Sequence, residues 1–171
     1  MTKDIIEQLG ETTNEMLQLV SSFNEDEMNS VPFKDSWTAA QVAEHVTKSN
    51  ASMIRSLSEE GKTSSRNIDE GVKKLKEIFL DFTSKLQSPK FILPTRNSYS
   101  KEIVVADLKN SIEQIKKLSN TINLSEIVNH RVFGEITKFE ILHFLVYHTQ
   151  RHIYQLKNIF QKVKNNSIES V

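Results

Sequence analysis

Cysteine is absent, which removes disulfides, thiolate nucleophiles and Cys-based zinc sites together and leaves any metal to His, Asp, Glu or carbonyl oxygen. Glycine and proline are scarce, four and three in 171 residues. An all-β domain of this size would need many more turn residues, so the chain has room for long uninterrupted helices. Charge of one sign is missing too: 22 basic and 22 acidic residues cancel. The chain therefore lacks the positive field that attracts phosphate backbones, which argues against nucleic acid as a partner. No apolar run approaches the roughly 18 to 20 residues that span a bilayer, and the opening MTKDIIEQLG has neither the basic cluster nor the apolar core of a signal peptide. The expectation is a cytoplasmic protein without a membrane partner. The length suits one well-buried core, so a single domain is expected over residues 1–164, with a disordered tail at 165–171.

Helical periodicity fills most of the chain. Ile5, Leu9, Met16 and Val20 recur at helical spacing and predict a first helix from about Lys3 to Phe23. Ser36 can cap a second helix, and Thr38 with Gln41 has capping-box spacing; that helix should run to about Leu57. Glu59 to Asn67 reads as an exposed connection. A third helix is expected over Ile68 to Leu86, and Pro89 and Pro94 make Ser88 to Ser100 an extended crossover. A fourth helix spans Lys101 to Asn120, Leu124 to Thr137 is a loop around Gly134, and a last helix follows from Lys138 to about Lys164 behind a Thr137–Glu140 capping box.

Three histidines border the apolar stripes of these helices. His148 and His152 are one turn apart on the last helix, about 40° from each other on its shoulder, facing a groove between helices. His143 lies about 140° from His148 and cannot share its ligand. His45 borders the inward stripe of the second helix, where Val42, Val46, Ser49 and Met53 point to the core. Two imidazoles at i and i+4 can converge on one ion, and a third from a facing helix leaves positions open for water or substrate. Spacing alone equally allows packed histidines that donate to nearby carbonyls, and about a hundred residues separate His45 from the pair. Trp37 reads as core beside the second helix, His130 as a loop-fixing hydrogen-bond residue, Gln155 as a support for the histidines or a packed amide, and Arg151 as a surface or interface residue. Glu44 and Glu140 face elsewhere, which leaves no general base in view and no catalytic residue assigned.

Ser36-Trp37-Thr38 through Glu44-His45 resembles the start of the second helix in the DinB-like superfamily. His130-Arg131-Val132-Phe133-Gly134, followed by His148-Thr149-Gln150-Arg151-His152 and Gln155, resembles that family's closing signature. The resemblance covers nearly the whole chain. It implies an all-α fold, a four-helix bundle in up-down-down-up order with an additional short helix or irregular crossover. It also implies one divalent ion, zinc or nickel, on His45, His148 and His152. Relatives include thiol S-transferases that use a low-molecular-weight thiol, an isomerase and metal-dependent hydrolases, often homodimeric. The expected function is therefore a metal-dependent thiol S-transferase, or a hydrolase, acting on a small-molecule electrophile, and a homodimer. The alternative is a non-catalytic metal- or ligand-binding bundle.

Overall fold

The computed structural model describes residues 2–63 and 65–169. In chain order, helix α1 (Thr2–Ser22) is followed by the short α2 (Glu25–Asn29), α3 (Ala39–Ser58), strand β1 (Lys62–Thr63), α4 (Val72–Phe79), a 3-10 turn (Lys90–Ile92), α5 (Lys101–Ser119), strands β2 (Glu126–His130) and β3 (Gly134–Thr137), and α6 (Lys138–Glu169). The long helices α1, α3, α5 and α6 form a four-helix bundle. Hydrogen bonds fix their directions. Glu15 meets Lys157 and Glu27, just beyond α1, meets Lys164, so α1 and α6 run parallel. Asn50 meets Ser111 while Glu44 meets Tyr99, so α3 and α5 are parallel as well. Asn14 meets Lys116 and Ser21 meets Lys101, which sets α1 against α5. The result is up-down-down-up, in which the parallel α3 and α5 require the long crossover between them.

Local chemistry sets the helix ends. Thr38 caps α3 in a reciprocal box with Gln41, and Ser36 instead binds back to the Phe33 carbonyl. Thr137 and Glu140 form the second box at the start of α6. The expected third helix is much shorter than 68–86. It starts only after Gly71, whose N–H is taken by the Glu140 carboxylate, and stops at Phe79, where Asp81 turns the chain by accepting from Thr83. Arg151, expected to be a surface or interface residue, is half-buried and binds the carbonyls of Phe79, Asp81 and Ser84, which holds that segment against α6.

Two further expectations are corrected. Leu124 to Thr137 is a hairpin, not a loop: β2 pairs antiparallel with β3 in a register from Ile127 opposite Thr137 to His130 opposite Gly134, and β1 adds two residues from the expected connection. Gly134 has φ +67, the left-handed turn conformation that favours glycine. The last helix continues past Lys164 to Glu169, because no proline or glycine follows to stop it; the rest of the expected disordered tail, 170–171, lies outside the described residues.

Buried apolar residues fall into two groups. One end of the bundle holds Met16, Phe23, Val46, Leu108, Ile112 and Leu156, and the other holds Leu9, Met53, Leu57, Ile115, Leu142 and Leu145. At or beside the changeover on each helix lie buried polar residues: Thr12 and Thr13 on α1, Ser49 and Asn50 on α3, Ser111 on α5, and His148, Thr149 and His152 on α6. The bundle has a polar waist, and buried polar groups persist only with partners. Among the described residues, no helix is long and apolar enough to cross a membrane.

Candidate metal centre

Antiparallel packing of α3 on α6 brings His45 opposite the pair on the last helix. His45, His148 and His152 are 1%, 5% and 7% exposed. The His45 and His152 Nε2 atoms lie 3.2 and 3.1 Å from the Nε2 of His148. One nitrogen from each ring falls within 4.8 Å of the others, so the three could hold one ion. Two nitrogens each about 2.0–2.1 Å from a common ion are separated by roughly 2.8 to 3.4 Å across octahedral to tetrahedral angles, so the spacing matches.

The far side of each ring fixes its orientation. His45 Nδ1 donates to the Ile92 carbonyl at 3.0 Å, and His152 Nδ1 donates to Gln155 Oε1 at 2.9 Å. Both rings then present a lone pair at Nε2. His148 Nε2 faces both and can give a proton to only one of them, so at least one buried Nε2 lone pair is left without a proton to accept, a deficit that a cation makes good. The His148 Nδ1 is buried without a hydrogen-bond partner among the described residues. Packing orients this ring instead, with Phe144 stacked at 5.0 Å and Phe79 edge-on at 5.9 Å. Burial holds all three imidazoles below their ordinary value, His152 at about 3, and the neighbouring rings push His148 further down. Neutral imidazole is the form that ligates a metal.

The crossover from α4 to α5 supplies the second partner of His45. It is tied to α3 by Lys48, which donates to the Leu93 carbonyl, and by Glu44, which accepts from Thr95 and Tyr99. Burial opposes ionisation of Glu44, but the bonds from Tyr99, Thr95 and Lys48 outweigh it and lower the carboxyl to about 2. Glu44 and Glu140 are thus both engaged away from the histidines, as their helical positions predict. His143 turns to the Tyr147 hydroxyl and takes no part in the centre.

The histidines open onto a cavity of about 760 Å³, within the usual range for small-molecule sites. Trp37 packs against the core at the start of α3, as expected, and it also lies against His45, ring centres 5.1 Å apart, and lines this cavity. His130 is buried at the end of β2 and lines it too. Among the described residues, Asp35 is the one carboxylate on the wall. Sequence reasoning missed the Ile92 carbonyl, the Phe79 and Phe144 grip on His148, and Ser52. The first two depend on tertiary contacts with no local signal, whereas Ser52 stands seven residues after His45 and so on the same face of α3.

A profile of the DinB superfamily matches residues 8–156 of the chain. The Bacillus subtilis protein YuaE, itself uncharacterised, is 25% identical over 157 residues, covering 90% of this chain and 93% of its own. Two solved structures share the fold. TT2238, a four-helix bundle protein, superposes with a TM-score of 0.61 at 18% identity, covering 92% of this chain and 98% of that one. YfiT from Bacillus subtilis, described as a probable metal-dependent hydrolase with an unusual four-helix bundle topology, gives 0.62 at 20% identity, covering 94% and 86%. At these identities the two structures speak for the fold alone.

Proposed function

The chain belongs to the DinB superfamily, and from that premise we propose that it is a metal-dependent enzyme whose divalent ion, zinc or nickel, sits on His45, His148 and His152. The observation that carries the reading is the convergence of three buried, neutral imidazole nitrogens at 3.1 and 3.2 Å. A divalent ion held there would lower the pKa of a coordinated thiol or water, so that a nucleophile exists at neutral pH. Ile92 and Gln155 hold two of the rings in the ligating tautomer, and the aromatic walls keep bulk water from the third.

Transfer of a low-molecular-weight thiol to a small electrophile is favoured over hydrolysis. A thiol ionises at about 8.5, far closer to neutrality than water at about 15.7, so it asks less of its surroundings. That suits a cavity with one carboxylate, Asp35, on its wall. Hydrolysis is the second reading, and the description of YfiT favours it. We also propose that the substrate is a small molecule met in the cytoplasm, with neither nucleic acid nor membrane involved. All three histidines come from one chain, so the site itself asks nothing of a homodimer.

The test is metal analysis of the purified chain, then a screen of thiols against chlorodinitrobenzene, and of simple esters, with and without chelator. We expect one divalent ion per chain, its loss in His148→Ala, and conjugation that chelation abolishes. A native chain that retains no ion, with conjugation indifferent to chelator, overturns the proposal. Ester cleavage in place of conjugation selects the second reading.

A further inference from the structure

Away from the three imidazoles, the cavity wall carries a polar pair that the metal does not use. Ser52 and His130 are 4% and 3% exposed, and both line the cavity. Ser52 lies two turns beyond His45 on α3, about 20° from it around the axis. His130 closes β2 and sits against that helix.

The proton inventory of the pair is determined. His130 Nδ1 accepts the Val132 N–H at 3.2 Å, so the ring carries its proton on Nε2 and donates it to Ser52 Oγ, also at 3.2 Å. Burial and then Arg131 keep the His130 ring below its ordinary value, consistent with the neutral tautomer. Ser52 is thereby an acceptor whose own hydroxyl proton is left to give. Serines in helices commonly spend that proton on a carbonyl three or four residues back. Ser58, Ser111 and Ser119 of this chain do so, at 2.7, 2.8 and 3.0 Å. Ser52 makes no such bond to any described residue. A hydrogen-bond donor is therefore held at the cavity wall by a residue that fixes its orientation.

Asp35, Lys85, Arg151, Gln155 and Asn158 add polar groups to the wall, but most of the lining surface is apolar, above all at the mouth. Phe33, Ile78, Phe82, Leu86, Val132 and Tyr154 all line it and remain 38% to 47% exposed, with Phe82 stacked on Tyr154 at 4.6 Å. Exposed apolar residues gathered in one place mark a binding surface, whereas scattered ones do not. Here they continue inward to the histidines, so the surface belongs to the cavity's ligand.

We propose that Ser52, positioned by His130, donates a hydrogen bond to an acceptor oxygen of the substrate, and that the substrate is a largely apolar molecule with a carbonyl or ether group. This rests on reading the cavity as a substrate site and not on the ion. The test therefore uses the full chain in excess chelator, with two probes of similar shape, acetophenone and ethylbenzene, titrated by NMR. In Ser52→Ala, acetophenone should bind about three- to tenfold more weakly, and ethylbenzene should bind as before. His130→Ala should weaken acetophenone similarly, and His130→Gln, which can again offer an N–H to Ser52, should restore part of the loss. The infrared carbonyl stretch of ¹³C-labelled acetophenone bound to the unaltered chain should lie below its value in alkane, and should rise in Ser52→Ala. Equal weakening of both probes, unchanged acetophenone binding, or an alkane-like stretch in the unaltered chain overturns the proposal. Failure of the metal reading shows separately, as a native chain without bound ion.

Discussion

Among the described residues Gln155 hydrogen-bonds to His152 and to no other histidine of the centre, and it determines which nitrogen His152 turns inward, because its Oε1 takes the Nδ1 proton at 2.9 Å. Replacing it with leucine leaves the ring in place but frees the tautomer. Loss of such a partner typically costs ten- to a hundredfold in metal affinity. Gln155→Leu is therefore expected to weaken zinc binding by about that factor in a competition titration against a chromophoric chelator. His143→Ala should leave the affinity unchanged, since His143 bonds to Tyr147 on the same helix. Equal affinity in Gln155→Leu and the native chain would remove this amide from the centre. A Cβ at Gly134 meets nothing within 4 Å, so Gly134→Ala isolates the cost of its positive φ. Roughly 1 kcal/mol of lost stability in urea unfolding is expected.

Single carboxylates hold whole elements together. Glu140 accepts from Arg66 at 2.8 and 2.6 Å, from the Gly71 N–H at 2.6 Å and from the Thr137 N–H at 2.8 Å, so it ties the α4 approach to the start of α6. Burial raises its pKa, but the bonds from Arg66, Thr137 and Gly71 outweigh burial and the net shift is downward from 4.5. A carboxylate with a lowered folded pKa stabilises fully above its unfolded value, and the contribution is lost as pH falls below it. Glu140→Gln should cost about 2–3 kcal/mol at pH 7 in urea unfolding, and the gap to the native chain should narrow progressively below pH 4.5. A gap constant from pH 7 to pH 3 would mean the charge contributes nothing. The elements most legible in the sequence are those whose ends carry this kind of local chemistry. Both capping boxes and the stripes of α1, α3, α5 and α6 follow from residue spacing, and so do the inward shoulders that carry His45, His148 and His152. What was illegible is tertiary: β2 and β3 lack strict alternation and are paired by a glycine turn. The helix expected to reach Leu86 stops early because Asp81 and Arg151 claim its backbone.

At the scale of the molecule, the waist is where burial gains least and partners matter most. Apolar residues stabilise both ends of the bundle, while the layer between them buries hydroxyls, amides and three imidazoles. Asn50 and Ser111 satisfy each other across α3 and α5 at 2.9 Å. The histidines have no such internal solution, since their Nε2 atoms face one another. An ion bound there joins α3 to α6 at the level where apolar packing is interrupted. The unfolded chain cannot reproduce the site, because His45 and His148 are 103 positions apart, so binding energy becomes folding energy. Free zinc at a hundred times its dissociation constant should stabilise the chain by about 2.7 kcal/mol, which for a domain of this size raises the melting temperature by roughly 5–10 °C. The shift should grow with the logarithm of free zinc concentration, vanish in excess chelator, and collapse in His45→Ala, where the bond between the two helices is lost. It should survive in His143→Ala. A melting temperature indifferent to zinc in the native chain would mean that the three nitrogens hold no ion in the folded state, and that the waist is balanced by packing alone.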